Sequence, residues 1–141
     1  MTPPPAEALE LVEGAELTPF VDKALTVTDF VRYQGASGDM NPIHHDTEFA
    51  QRAGFPTPFA VGMLQAGVLA TYLTDQFGAS AIRHFKVQFR EQAWPGDVLT
   101  YAAKIAALRE EGGQRFVDLE AAVTRQTGGV HLLGWATFVI E

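Results

Sequence analysis

Two hydrophobic periodicities divide the chain. From Gly62 to Phe77, "GMLQAGVLATYLTDQF", small or apolar residues fill nearly every position, broken only by Gln65, Thr71, Thr74, Asp75 and Gln76. Such a run reads as a helix buried nearly all round rather than lying half-exposed on a surface, closed by Gly78. From Ile82 the period becomes two. Phe85, Val87 and Phe89 alternate with His84, Lys86, Gln88 and Arg90, as a half-buried strand requires. "WPGD", Trp94 to Asp97, turns the chain into "VLTYAAKIAAL". "REEGG" and "RQTGG" then punctuate two further strand patterns, "QRFVDLEAAVT" and "VHLLGWATFVI". The pattern predicts a meander of long antiparallel strands joined by Gly-rich hairpins.

The first half is more broken. Residues 1–14 predict an N-terminal tail, extended where "PPP" forbids helix, and residues 15–141 a single domain. A first strand is expected from about Glu16 to Leu25. "TDFVRYQGAS" predicts a short helix with Thr28 as N-cap and Phe30, Val31 and Tyr33 offered to the core. Asp46 can cap a second short helix, "TEFAQRAG", with Gly54 at its left-handed end. "FPTPF" is a stiff connector to the long helix. One strand, short helices, one buried helix and four strands make an α+β protein with helices on one face of an antiparallel sheet.

Composition narrows the function. With 141 residues, 47% hydrophobic and 19% charged, the chain can build a sizeable core. It has no cysteine, so thiolate-zinc, iron–sulfur and disulfide chemistry are excluded, which fits a reducing cytoplasm. A net charge of −7 argues against nucleic acid as a partner. No apolar run reaches the roughly 18 residues of a membrane span. The acidic, Pro-rich N-terminus lacks the basic region of a signal peptide. A soluble cytoplasmic protein is the expectation.

The densest chemistry lies in "SGDMNPIHHD", Ser37 to Asp46. Pro42 fixes its own φ and keeps Asn41 out of the helical region, so the segment can aim side chains without secondary structure. Asp39 and His44, five residues apart, can reach one water, and a carboxylate beside an imidazole is competent for proton transfer near neutral pH. Three other readings stay open on the residues alone. Asp39 and Asn41 can make ordinary turn hydrogen bonds, with the histidines capping a helix. Asp39, His44, His45 and Asp46 are acceptable metal ligands, though neighbouring histidines point apart and no i,i+4 pair is present. Ser37 lies near His44, but without a nucleophile elbow. Gly62 opens the long helix, where unpaired N–H groups and the dipole favour negative charge. Its N–H can bind a carbonyl oxygen that becomes anionic, or the glycine can merely permit tight packing.

"YQGASGDMNPIHHDTEFA", Tyr33 to Ala50, resembles the hydratase-2 motif of the MaoC-like family of (R)-specific enoyl-thioester hydratases and 3-hydroxyacyl dehydratases. The matching residues are Tyr33, Ser37-Gly38-Asp39, Asn41-Pro42, Ile43-His44 and Ala50. "FAVGMLQAG" and "FKVQFREQAWPGDVL" are similar to the family's central-helix start and strand-and-turn signature, so the resemblance covers roughly residues 26–100. It implies a hot-dog fold, a long central helix wrapped by an antiparallel β-sheet. It implies Asp39 and His44 as the catalytic pair, Gly62 as the donor to the thioester carbonyl, and Asn41 and Ser37 as loop support. His45 falls where the family pattern varies and receives no role.

Where many homodimeric relatives carry a helix serine, this chain has Gly67 and Ala70. In this it is similar to the catalytic small subunit of heteromeric dehydratases. The implied substrate is an acyl-CoA or acyl-carrier-protein thioester, with no metal and no cofactor. The implied assembly is a homodimer, or a heterodimer with a paralogous hot-dog subunit. The rivals are a hot-dog thioesterase, which also needs a carboxylate, a water and a helix N-terminus, and a subunit active only beside its paralogue.

Overall fold

The computed structural model describes residues 9–141; positions 1–8 of the expected tail lie outside the described residues. Strand β1 (Phe20–Val21) leads to α1 (Val27–Ser37), a 3-10 turn (Pro42–His44), α2 (Thr47–Arg52) and α3 (Gly62–Phe77). Four strands follow: β2 (Ile82–Phe89), β3 (Leu99–Glu111), β4 (Gln114–Arg125) and β5 (Val130–Ile140). All pairings are antiparallel and the sheet order is β1-β3-β4-β5-β2. The strand that follows α3 therefore forms the far edge, beside the last strand. The expected α+β hot-dog arrangement is the one observed.

The bounds of α3 agree with the sequence pattern, and its burial does not. Gln65, Ala66, Leu69 and Leu73 face the sheet and are buried, whereas Met63, Gly67, Thr71 and Asp75, spaced four apart, form an exposed stripe. Thr71 and Asp75 mark that stripe, but Met63 and Gly67 at its start read as core positions. Under the buried face lie Tyr101, Ile105, Leu119, Leu132 and Phe138, all within one core. Gly134 on β5 lets the helix come close: a Cβ there would meet Leu69 Cδ2 at 2.7 Å.

The β3–β4 hairpin closes through Gly112 and Gly113, with φ of 60° and 77°, as a two-residue turn matched to the strand twist requires. The expected first strand is reduced to two residues. Pro19 offers no N–H, and outside the pairs Phe20–Tyr101 and Val21–Thr100 the segment meets β3 through single contacts such as Leu17 N–H to Ala103 O and Asp22 N–H to Leu99 O. The N-cap of α1 is Thr26, not Thr28. The Thr26 hydroxyl accepts from the Asp29 N–H and the Asp29 carboxylate accepts from the Thr26 N–H, a capping box. The shifted start turns Phe30 and Gln34 inward and leaves Val31 47% exposed, against the expectation for Val31.

Candidate functional site

Ser37 ends α1, and Gly38, at φ 78°, turns the chain off the helix. The next residues make a ladder of local bonds. The Ser37 hydroxyl accepts from Asp39 N–H at 3.2 Å, Asp39 Oδ1 from Asn41 N–H at 3.2 Å, and Asn41 Oδ1 from Ile43 N–H at 3.1 Å. Asn41 thereby caps the 3-10 turn whose last residue is His44. Asp39 stays exposed, and its second carboxylate oxygen accepts no hydrogen bond among the described residues.

His44 is buried, and its Nδ1 lies 2.8 Å from Phe59 O, with the Phe59 ring set edge-on at 5.2 Å. A carbonyl only accepts, so Nδ1 carries the proton. In the neutral ring Nε2 is then left as an acceptor. Phe59 precedes Gly62 by three residues, so this bond fastens the loop to the start of α3. The N-cap of that helix is Val61, and no side chain caps it. Its first N–H groups are left for other partners, with the helix dipole behind them. A Cβ on Gly62 would meet Phe89 Cε1 at 2.5 Å, so the edge-strand ring covers one side of the glycine. Asp39 and His44 make no hydrogen bond to each other, and each leaves one hydrogen-bonding atom unused.

Gln34, which the sequence did not single out, and His45, to which no role was assigned, hold this loop. Gln34 on α1 is fully buried; its amide nitrogen donates to Asn41 O at 2.9 Å, and its amide oxygen lies 2.8 Å from His45 Nδ1. The two histidines do point apart, one to Phe59 and one to Gln34. Among the described residues no three His, Asp or Glu side chains lie close enough to hold a metal ion. A buried amide facing the motif gave no periodic signal, because Gln34 sits one turn after Phe30 where an apolar residue would be expected.

A second polar cluster lies behind α3. His131 is buried, with Nδ1 2.7 Å from Glu91 O and Nε2 3.3 Å from the Gln65 side-chain amide. Burial pushes its pKa below the usual histidine value, against the opposing pull of the Glu91 carbonyl. Asp97 closes the "WPGD" turn and accepts from Trp94 N–H, from Arg125 Nε and Nη2, and from Gln126 Nε2. Burial alone would raise its pKa, but Arg125, Gln126 and the Trp94 N–H outweigh it and hold the carboxyl below its ordinary value. A cavity of about 340 Å³ borders α1 and α3, lined in part by Tyr33, Leu64, Gln65, Val68 and Tyr101. Asp39, His44 and Gly62 do not line it. Among the described residues no helix is long and apolar enough to cross a membrane.

The family described as MaoC like domain matches residues 10–127. The (R)-specific enoyl-CoA hydratase of Rhodospirillum rubrum is 30% identical over 84% of this chain and 81% of its own. The enoyl-CoA hydratase ChsH3 of Mycobacterium tuberculosis is 38% identical over 66% of this chain, but the match spans only 32% of its length. In the peroxisomal multifunctional enzyme type 2 of Mus musculus and the peroxisomal hydratase-dehydrogenase-epimerase of Saccharomyces cerevisiae, the match spans 9% and 7% of the whole. The crystal structure of the ChsH1–ChsH2 complex of Mycobacterium tuberculosis has a similar fold, with a TM-score of 0.80 at 20% identity over 94% of this chain and 100% of that one.

Proposed function

The chain belongs to the MaoC-like dehydratase family, and on that premise we propose that it adds water to trans-2-enoyl thioesters, giving (3R)-3-hydroxyacyl thioesters, and catalyses the reverse dehydration. The observation that carries this reading is the His44 bond to Phe59 O, which leaves Nε2 as an acceptor and ties the loop to the helix start at Gly62.

The thioester carbonyl accepts from Gly62 N–H at the uncapped end of α3. One water donates to the free Asp39 oxygen and to His44 Nε2. The water oxygen bonds to C3 as its proton passes to Asp39. The C2=C3 electron pair moves to C2 and the thioester oxygen, where the Gly62 N–H and the helix dipole stabilise the growing charge. Asp39 then returns the proton to C2 on the same face, so one H and one OH have added. Asn41 and Ser37 hold the loop through the bonds above. Coenzyme A or an acyl carrier protein is the handle, no metal or redox group takes part, and the enzyme works in the cytoplasm.

The active unit is a dimer, with the substrate cleft at the subunit interface. The outer edge of β2 pairs with no strand among the described residues, and the Met63, Gly67, Thr71 stripe lies exposed, with Met63 54% and Phe89 53% accessible. An open strand edge beside apolar surface favours association. A homodimer is the expected state of the isolated chain.

The test is to give the purified chain crotonyl-CoA and longer trans-2-enoyl-CoA thioesters, and to follow enoyl absorbance and free thiol on a sample whose mass is read by sedimentation. Loss of absorbance without thiol, from a dimer, is expected. Thiol release would make the protein a thioesterase. Activity appearing only with a second hot-dog protein would make it one half of a heterodimer.

A further inference from the structure

Gln34 is fully buried, and a buried amide is costly unless both its ends are matched. Both ends are spent on the loop: the nitrogen on Asn41 O at 2.9 Å, the oxygen on His45 Nδ1 at 2.8 Å. Asn41 is the N-cap of the 3-10 turn and His45 its C-cap. One side chain on α1 thus grips the two ends of the turn that follows Asp39 and carries His44. A three-residue 3-10 turn has poor hydrogen-bond geometry and little stability of its own, so an outside clamp matters more here than on an α-helix.

The protonation pattern follows from the partners. Asn41 O can only accept, which fixes the Gln34 amide nitrogen on that side and leaves its oxygen facing His45. His45 Nδ1 must then carry a proton, and its role requires only that N–H. Beyond Gln34 the chain continues to both catalytic candidates: Asn41 N–H donates to Asp39 Oδ1, and His45 adjoins His44, itself held by Phe59 O. The grip therefore acts on the pair from both sides.

We propose that Gln34 and His45 form a positioning clamp that sets how Asp39 and His44 share one water. His45 serves as an N–H donor, not as a proton carrier and not as a bystander. The inference rests on the hydratase reading above. Misplacing reacting groups by about 1 Å costs on the order of 10²-fold in rate, and a loosened loop falls between that and no effect.

The experiment compares His45→Ala, His45→Asn and Gln34→Glu in the full chain. The side-chain nitrogen of Asn can take the place of Nδ1, whereas Glu at position 34, when ionised, accepts from His45 but cannot donate to Asn41 O. Expected for His45→Ala and Gln34→Glu is a kcat lowered by about tenfold or more with KM little changed, and for His45→Asn recovery of most of the lost kcat. Wild-type kcat in His45→Ala, or no recovery in His45→Asn, overturns the clamp. Nitrogen-15 NMR of the ring gives a readout independent of turnover: His45 holds the Nδ1–H tautomer in the wild type when neutral and loses it in Gln34→Leu. An Nε2–H tautomer in the wild type also overturns the clamp. If no enoyl thioester is hydrated but the Nδ1–H tautomer is present, the hydratase reading fails and the clamp's geometry stands.

Discussion

The dipeptide Gly-Asp occurs at Gly38-Asp39 and at Gly96-Asp97, each glycine with positive φ, 78° and 92°. In the sequence the two look alike: Ser37 or Pro95 precedes the glycine, and a proline lies within three residues of the aspartate. In the folded protein they are opposites. Asp97 is buried and receives four hydrogen bonds, two of them from Arg125. Asp39 is exposed and receives one, at 3.2 Å. A carboxylate saturated by donors fixes a turn; one left with an empty oxygen can still accept from a substrate or a water. The same contrast separates His131, enclosed between Glu91 and Gln65, from His44, which has one nitrogen bound and one free.

Breaking each carboxylate should therefore break a different property. Asp39→Asn keeps shape and loses the basic oxygen, so turnover should fall by about 10²–10⁴ while the melting temperature stays near that of the wild type. His44→Ala should be similarly inactive, and the double variant no worse than the worse single, because the two act as a unit. Asp97→Ala should do the reverse. It removes the acceptor of Trp94 N–H and Gln126 and leaves Arg125 with Glu91 alone, at a stability cost of about 2 kcal/mol, with turnover per folded molecule retained. Turnover and thermal melting on the same samples check both; a stable, inactive Asp97→Ala would erase the distinction.

Gly62→Val should lower turnover by about 10²-fold if the first N–H of α3 polarises the thioester. The new side chain also strikes the Phe89 ring. Adding Phe89→Ala should recover stability more than rate. Near-normal rates in Gly62→Val would remove Gly62 from the site.

The smallest effect is the pH dependence of stability set by His131. Its folded pKa lies below its unfolded one, so its contribution is complete above the unfolded value of about 6.5 and is lost as pH falls below it toward the folded value. The unfolded chain takes up the proton first. Melting temperature should drop from about pH 7.5 to about pH 5 more in the wild type than in His131→Gln. Equal drops would assign the titration elsewhere.

The sequence carried more of the helices and strands than of the bonds between them. The limits of α3 were legible because Gly62 and Gly78 bracket an apolar run, and the β3–β4 hairpin because Gly112-Gly113 suits its turn. The break in the first strand follows from Pro19, whose effect depends on which edge it faces. The Thr26-Asp29 box was readable from spacing, yet Thr28 competes for it two residues later. Gln34 and His45 were opaque, since a hydrogen bond across eleven positions leaves no period in the chain. The start of the exposed α3 stripe was invisible for a related reason: small residues such as Gly67 suit a core and a subunit contact alike.

The most direct measurement is hydration of crotonyl-CoA in deuterium oxide, with the product's configuration at C3 and the deuterium position at C2 read by NMR. The account predicts a single (3R)-3-hydroxybutyryl thioester carrying one deuterium at C2 on the same face as the new oxygen, and no such product from Asp39→Asn. A (3S) product, deuterium on the opposite face or on both, or an unchanged rate in Asp39→Asn would contradict it.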